Sequence, residues 1–317
     1  MGDLIALAEG PLDRPLPDDD FDGLARRVFA WQFASNPIYR VFCEGRGVTP
    51  YTWRGWEAIP AVPTRGFKEL DLISGDPGRV ERVFRTSGTT SGAERRGRHH
   101  VASLELYRRL SLPWLRANLL PDLEPGGRIR VVALVPAPAE APESSLSTMV
   151  GFAMDAFGDA GSAWVADPDT GLDLAAATAA LEVAEGEGRP TLLVGTAFAF
   201  VHLVDALDER GASFALPHGS RAMETGGFKG RSRTVPRDEL YEGMARVTGV
   251  PAGRIVNEYG MTELLSQFWE PVLREGSDAR RRHVAPPWMR TRILAPDTLH
   301  PAPAGAAGLL QHLDLAN

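Results

Sequence analysis

Two short stretches of this chain carry residue types that can bind a phosphate, a metal ion and an aromatic base. The first covers residues 83–92, where a β-branched and aromatic run is followed by a loop made almost wholly of Ser, Thr and Gly. Glycines let the backbone come close to a ligand, and hydroxyl and backbone N–H groups can then surround an anion. The loop lacks the Gly-Lys-Ser/Thr ending of a Walker P-loop and the G-x-G-x-x-G spacing of a dinucleotide fingerprint. Its composition predicts phosphate binding, with an ordinary turn as the alternative.

The second stretch covers residues 254–263, which read as a short strand that breaks at a glycine. It presents Tyr259, Thr262 and Glu263 within five positions. An aromatic face suits a nucleobase, a hydroxyl suits a phosphate oxygen, and a carboxylate suits Mg²⁺. A strand end with a polar turn is the alternative here.

The elements around these stretches alternate between strands and helices. We expect strands over 128–135, 162–165, 191–194, 221–224, 254–257 and 290–294, and helices over 21–33, 103–115, 172–183, 198–207 and 236–247. This alternation predicts an α/β fold with mostly parallel sheets covered by helices. Ligands in such sheets bind beyond the carboxyl ends of the strands, which is where both stretches lie.

Composition narrows the class of protein. The chain has 317 residues and a formal net charge of -7, which argues against a general nucleic-acid binder. No apolar run approaches the length of a membrane span, and the N-terminus lacks the features of a signal peptide. The lone cysteine, Cys43, fits a reducing compartment and a buried structural thiol. We therefore expect a cytoplasmic protein without nucleic-acid or membrane partners, with a mobile lead-in over about residues 1–20.

Together the two stretches resemble the adenylate-forming superfamily, whose members carry a Ser/Thr/Gly-rich phosphate loop and a later Tyr-Gly-x-Thr-Glu motif. Further segments look like the acyl-protein synthetases of the bacterial luminescence fatty-acid reductase, the LuxE type. These segments are Ile59-Pro60, Pro63, Phe67-Lys68, residues 224–231, Pro286-Pro287-Trp288 and Asp297-Thr298-Leu299. The resemblance implies the fold of the family's large N-terminal domain, with stacked sheets covered by helices.

The resemblance also implies a reaction, in which a carboxylate is joined to the α-phosphate of ATP with Mg²⁺ and the acyl group then passes to an acceptor. Thr262 would contact the α-phosphate and Glu263 would bind Mg²⁺, as the catalytic pair. Tyr259 would lie against the adenine, with the backbone around Gly226 and Gly227 on its other side. The remaining nucleotide-binding positions implied by the resemblance are Ser87, Gly88, Thr89, Thr90, Ser91, Glu258, Gly260 and Met261.

Other positions matched to the family pattern leave alternatives open. The acyl pocket would include Ser145, Leu146, Met149, Phe198 and Phe228, each of which a plain core role explains as well. Lys229 could be taken for a base, but the superfamily's adenylation lysine belongs to a small C-terminal domain. The basic run from Arg95 to His100 could help hold a triphosphate, with solvated side chains as the alternative.

The end of the chain departs from the family pattern. The family's Thr-x-Asp motif, whose Asp binds the ribose, would lie beyond Asn317, so we do not carry the ribose role onto Asp314. We therefore expect residues 1–317 to be the N-terminal adenylation domain, with the small C-terminal domain absent from this chain.

The sequence leaves the acid and the acceptor open. The substrate would be a carboxylic acid, either fatty or another acyl acid. The acceptor could be a protein thiol, a carrier-protein phosphopantetheine or coenzyme A. The alternatives are an acyl-CoA or acyl-carrier-protein ligase in a biosynthetic pathway, and a non-catalytic nucleotide-binding subunit that presents an acyl group to a partner.

Overall fold

The computed structural model describes residues 2–86, 96–226, 235–276 and 280–317. In these ranges the α-helices are α1 Gly2–Glu9, α2 Asp18–Ser35, α3 Pro37–Glu44, α4 Gly66–Glu69, α5 Leu104–Leu119, α6 Ser145–Phe157, α7 Leu174–Glu187, α8 Ala197–Glu209, α9 Arg237–Thr248 and α10 Val272–Glu275. The strands are β1 Arg82–Arg85, β2 Arg98–Val101, β3 Arg130–Leu134, β4 Ala163–Trp164, β5 Ala166–Asp167, β6 Gly171–Leu172, β7 Thr191–Thr196, β8 Arg221–Thr225, β9 Ile255–Tyr259, β10 Phe268–Trp269, β11 Met289–Leu294 and β12 Leu309–Asp314.

The largest sheet has six strands in the order β10-β9-β8-β7-β3-β4. All neighbouring pairs are parallel except β10 with β9, which is antiparallel. Parallel strands need helical crossovers, and α6, α7, α8 and α9 supply them. The expected α/β fold with a mostly parallel sheet is confirmed.

The chain divides into two compact units. The first comprises Met1–Leu110, Met261–Gln267 and Ala285–Asn317, and the second comprises Ser111–Gly260 and Phe268–Val284. The second unit contains the six-stranded sheet and a core of apolar side chains between its strands and α7, α8 and α9. Strand β3 is buried at every position, and β7 is buried at all but its last. Such continuous burial is typical of strands covered on both faces.

Local signals set the ends of the helices in this second unit. Thr196 caps α8 by accepting a hydrogen bond from the Ala199 N–H at 3.1 Å, and Asp173 caps α7 in the same way. Gly188 ends α7 with φ 65°, a left-handed conformation that glycine adopts without a steric penalty. These caps fix where each helix begins and ends relative to the preceding strand.

The first unit contains two antiparallel hairpins. Strands β1 and β2 pair with Phe84 opposite His99, and β11 and β12 pair over six residues. The expected strand near 290–294 therefore forms, as part of a hairpin and outside the parallel sheet. In the same unit α2 ends where Pro37 follows Asn36, because a residue before proline avoids the α region. Cys43 is fully buried on α3, in agreement with a structural thiol.

Helices α1 and α6 were not among those expected from the sequence. Residues 2–9, within the expected lead-in, form α1 with Leu4 and Ala8 buried on one face. Helix α6 lies between β3 and β4. No helix in the described ranges is long and apolar enough to cross a membrane.

Candidate active site

The carboxyl ends of β8 and β9 bring two predicted adenine-binding positions side by side in the second unit. The strands are parallel neighbours in which Thr225 pairs with Glu258, so Gly226 and Tyr259 each follow a paired residue. Gly226 is exposed and Tyr259 is half-buried. Glu258 is 4% exposed, because successive side chains of a strand point to opposite faces. An exposed glycine beside an aromatic ring leaves room for a flat base.

The ring of Tyr259 is fixed by two aromatic neighbours. Its centroid lies 5.5 Å from that of Phe268 and 6.0 Å from that of His283, in tilted and edge-on arrangements. Burial lowers the pKa of His283, which favours the neutral imidazole. Aromatic pairs at these separations are mutually attractive, so the tyrosine ring is held in position before any ligand binds.

Behind these positions lies a buried polar pair that the sequence analysis missed. Glu224 and Asn257 are register partners on β8 and β9, and each stands two residues before a predicted adenine-binding position. The amide of Asn257 donates to Glu224 Oε1 at 2.5 Å, and the Tyr241 hydroxyl donates to the same oxygen at 2.9 Å. Burial raises the pKa of Glu224 despite these bonds. The available signal was a polar residue that directly follows two apolar residues in each strand.

The polar pair continues into a larger network around Asn257. Its main-chain N–H donates to Glu270 at 3.1 Å, and its side-chain oxygen accepts from His283 Nε2 at 2.7 Å. Glu270 is 1% exposed and pairs with Arg237 at 2.9 Å and Arg281 at 2.5 Å. Buried carboxylates need such partners to offset their desolvation. The network fixes the strand that ends at Tyr259.

The catalytic pair predicted from the sequence lies on a turn in the first unit. The Leu264 N–H donates to the Met261 carbonyl at 3.0 Å, which closes the turn that contains Thr262 and Glu263. Met261 and Thr262 are half-buried, Glu263 is 8% exposed, and Gly260, the last residue of the second unit before this turn, is exposed. The turn is therefore largely packed into the first unit, with Glu263 more buried than Met261 and Thr262.

Two side chains from distant parts of the sequence hold the carbonyl groups of this turn. His99 Nδ1 lies 2.7 Å from the Thr262 carbonyl oxygen, and Asn317 Nδ2 donates to the Glu263 carbonyl at 2.7 Å. Gln32 in turn donates to the Asn317 carbonyl at 2.8 Å. These bonds join α2, β2 and the end of β12 to the turn.

Within the basic run, His99 is buried and is not a solvated side chain. His99 is 5% exposed, since the alternation along β2 turns its ring and Val101 inward. Its ring meets Phe67 edge-on at 6.0 Å. Burial lowers its pKa to about 4, so the ring is neutral near pH 7. His100, on the other face, pairs with Asp71 at 2.9 Å.

The predicted phosphate loop connects β1 and β2. Its base is closed by Thr86, whose hydroxyl accepts from the Gly97 N–H at 2.8 Å and whose own N–H donates to the Gly97 carbonyl at 3.0 Å. Arg96 Nε donates to the Thr86 carbonyl at 2.6 Å. The predicted phosphate-binding residues themselves, Ser87, Gly88, Thr89, Thr90 and Ser91, lie outside the described residues, as do Gly227, Phe228, Lys229 and Arg95.

The predicted acyl-pocket residues that are described lie on two helices of the second unit. Ser145 and Leu146 are half-buried in the first turn of α6, and Phe198 is half-buried in the first turn of α8. Helices α6 and α8 follow the adjacent parallel strands β3 and β7, so their first turns lie at the same edge of the sheet. Phe198 packs on His202 with 4.4 Å between ring centroids. Met149 is 1% exposed and belongs to the core.

The Asp314 side chain is buried and hydrogen-bonded within the first unit. It is 7% exposed and accepts hydrogen bonds from the Ser266 hydroxyl at 2.8 Å and from the Leu265 and Ala316 N–H groups. Burial raises its pKa. The indole of Trp288 donates to the same Ser266 hydroxyl at 2.9 Å. The carboxylate thus links β12 to the segment after the turn.

The donor set around Glu263 fits Mg²⁺. In the described part of the chain, no group of three or more His, Cys, Asp or Glu side chains is arranged to hold a metal ion. Mg²⁺ is usually bound by one or two carboxylates together with substrate phosphates, and it does not need a cage of protein ligands. One carboxylate, Glu263, next to the hydroxyl of Thr262 supplies oxygen donors of that kind.

Comparison with known proteins agrees with the resemblance seen in the sequence. A curated relative, the long-chain-fatty-acid–luciferin-component ligase of Vibrio harveyi, is 24% identical over 298 residues, which are 92% of this chain and 73% of the relative. A solved 2-hydroxyisobutyryl-CoA ligase, in an open conformation with 2-HIB-AMP and CoA, has a TM-score of 0.66 and 14% identity over 94% of this chain. A long-chain-fatty-acid-CoA ligase from Archaeoglobus fulgidus has a TM-score of 0.51 and 14% identity over 78% of this chain.

These structures confirm the expected fold. This chain spans 61% of the length of the 2-hydroxyisobutyryl-CoA ligase and 44% of that of the Archaeoglobus ligase. Residues 24–317, which are most of the chain, match the family described as Acyl-protein synthetase, LuxE. The expected family is confirmed as well: the chain belongs to the LuxE family of acyl-protein synthetases.

Proposed function

We propose that this chain carries the ATP-dependent activation of a carboxylic acid, fatty or another acyl acid, to an acyl-adenylate, followed by acyl transfer to a thiol or another acceptor. Membership in the LuxE family supports this reaction. The likeness over 94% of this chain to part of a CoA ligase supports the assignment of residues 1–317 to the large N-terminal adenylation domain. The buried lone cysteine is consistent with a cytoplasmic location.

The observation that carries the proposal is the register of β8 and β9. Pairing of Thr225 with Glu258 puts Gly226 and Tyr259 next to each other at the carboxyl ends of parallel strands, where ligands of open α/β sheets bind. The adenine would lie between the Tyr259 ring and the backbone around Gly226. The network of Glu224 and Asn257 beneath them keeps both strand ends at fixed positions.

The turn and the loop of the first unit would bind the phosphate groups. The Thr262 hydroxyl would donate to an α-phosphate oxygen, and Glu263 would hold Mg²⁺. The residues from Ser87 to Ser91 would bind the β- and γ-phosphates through hydroxyl and N–H groups. When bound, ATP supplies the phosphorus atom that the carboxylate attacks, with pyrophosphate as leaving group, and Mg²⁺ offsets the charge of the transferring phosphate. The residues of this chain would contribute mainly positioning and charge stabilisation.

The acid would enter from the edge of the sheet at which α6 and α8 begin. Ser145, Leu146 and Phe198 are half-buried there, which gives one hydroxyl and two apolar surfaces. An apolar acyl chain fits the two apolar side chains. This arrangement supports a medium or long acyl acid over a small polar one.

The experiment that tests the proposal is ATP–pyrophosphate exchange with a panel of straight-chain, branched and aromatic acids. We expect Mg²⁺-dependent exchange with at least one acyl acid and none with Glu263→Gln. Transfer assays with coenzyme A, phosphopantetheinylated carrier protein and a thiol protein then identify the acceptor. ATP binding without exchange for any acid would instead favour the non-catalytic subunit. Failure to bind ATP would reject both.

A further inference from the structure

A hydrogen bond connects β2, the strand that follows the predicted phosphate loop, to the turn of Thr262 and Glu263. His99 lies on β2, and its Nδ1 is 2.7 Å from the carbonyl oxygen of Thr262. The same turn is held on its other side by Asn317, which donates to the Glu263 carbonyl.

The hydrogen bond between His99 and the Thr262 carbonyl determines which ring nitrogen of His99 carries the proton. A carbonyl oxygen only accepts, so Nδ1 must carry the proton and donate it. Burial lowers the pKa of His99 to about 4, although the bonds to Thr262 and Asn317 raise it. The imidazole is therefore neutral at physiological pH, with its proton held on Nδ1. It acts as a fixed donor, and this role does not require it to titrate.

We propose that His99 is a positioning residue for the nucleotide site, in which its Nδ1–H group fixes the Thr262 backbone relative to the strand that leaves the phosphate loop. The inference rests on the proposed function, because Thr262 and Glu263 matter only if they contact nucleotide and metal. The hydroxyl and carboxylate of these residues project from a backbone that this bond holds. Without it, the Thr262 backbone loses this attachment to β2.

The effect on function follows from the distances involved. Hydrogen bonds to a phosphate oxygen and coordination of Mg²⁺ each tolerate only a few tenths of an ångström. A displacement of about 1 Å in a positioning residue can reduce a reaction rate on the order of 100-fold. A histidine that only fills the core beside Phe67 would affect the free energy of unfolding and leave nucleotide binding unchanged.

Three substitutions of His99 distinguish the role of its N–H donor from that of the space its ring fills. His99→Asn places an amide N–H at the same number of bonds from Cβ as Nδ1, whereas His99→Gln places it one bond further and His99→Ala removes it. Tyr39→Phe is the matched control, because the buried Tyr39 hydroxyl donates to the Pro60 carbonyl at 2.9 Å in the same unit, away from both motifs. For each variant we would measure the Kd for ATP by calorimetry, the kcat and KM of exchange, and unfolding in urea.

We expect His99→Gln and His99→Ala to lower kcat/KM on the order of 10- to 100-fold and to weaken ATP binding. His99→Asn should retain most of both properties, and Tyr39→Phe should reduce stability alone. Equal behaviour of the Asn, Gln and Ala variants would overturn the proposal. If the parent binds ATP but all variants bind it equally well, the proposal fails while the proposed function stands. If the parent binds no nucleotide, both fail.

A spectroscopic measurement on the parent protein tests the tautomer of His99 directly. In ¹⁵N-histidine NMR spectra, His99 should show a proton on Nδ1 and an unprotonated Nε2 near neutral pH. The signal can be identified by its loss in His99→Asn. A proton on Nε2 with a bare Nδ1 would overturn the proposal, because the bond to the Thr262 carbonyl could not then exist.

Discussion

The side-chain amide of Asn257 donates a hydrogen bond to the buried carboxylate of Glu224, with 2.5 Å between Nδ2 and Oε1. The two residues are register partners on β8 and β9, two positions before Gly226 and Tyr259. This bond crosses between adjacent strands just beneath the proposed adenine site. It ties the geometry of the site to the sheet that supports it.

The pH dependence of stability should report on Glu224. Burial raises its pKa in the folded protein above the ordinary value of 4.5, so the folded state binds more protons than the unfolded state over that interval. The contribution of Glu224 to the free energy of unfolding is therefore fully present below the ordinary pKa and is lost as pH rises through the raised one. In Glu224→Gln this decline should disappear, while stability at neutral pH changes by about 1 kcal/mol or less.

The measurement for Glu224 is urea unfolding at a series of pH values for the parent and the variant. The difference between the two curves removes the contribution of other groups, including Asp314. Glu69, whose side chain is 56% exposed and pairs with Arg65, provides the control substitution Glu69→Gln. Parallel curves for the parent and Glu224→Gln would contradict the prediction.

Glu263→Gln should abolish Mg²⁺-dependent activation while the protein stays folded. Gln keeps the shape of the side chain but loses the charge that would hold the metal, and a bound metal contributes several kcal/mol to the transition state. The exchange rate should therefore fall by at least about 100-fold. Exchange is measured against Mg²⁺ concentration, with Glu124→Gln, an exposed glutamate of the second unit, as control. Near-normal exchange in Glu263→Gln would reject the metal role.

Replacement of Thr89 or Thr90 with Val should raise the KM for ATP. Valine keeps the β-branched shape but cannot bond a phosphate oxygen, and a bond to a charged group is worth about 1.5–3 kcal/mol. We expect an increase of roughly 10- to 100-fold. Thr178→Val is the control, since the Thr178 hydroxyl donates only to the Leu174 carbonyl on α7. If both loop variants bind ATP as the parent does, the loop is a structural turn.

Asp314→Asn should weaken the fold without affecting nucleotide affinity. The Asp314 carboxylate accepts from Ser266, Leu265 and Ala316, and an amide can replace only part of these bonds. We expect the free energy of unfolding to fall by about 1–3 kcal/mol. The Kd for ATP, measured by calorimetry below the unfolding range, should stay within about threefold of the parent value. Weaker ATP binding at unchanged stability would give Asp314 the ribose role after all.

The sequence alone determined the parts of this protein that depend on local patterns. The composition of residues 83–92 and 254–263 predicted the two motifs, and the alternation of apolar runs predicted β3, β7, β8 and β9 with the helices α7, α8 and α9. The end of α2 was also a local signal, because Asn36 stands before Pro37 and a residue before proline is biased away from the α region. The two motifs and their order indicated the adenylate-forming superfamily, and the further matched segments indicated the LuxE family.

The tertiary structure decided which polar side chains are buried and what they bind. His99 and His100 are adjacent in a basic run, yet strand pairing places one ring against Thr262 and the other beside Asp71. Glu224 and Asn257 become partners only because β8 and β9 are neighbours in register. The desolvation of a side chain depends on elements far away in the sequence. Short-range patterns carry no information about those elements, so the residues that hold the motifs in place became visible only in the folded chain.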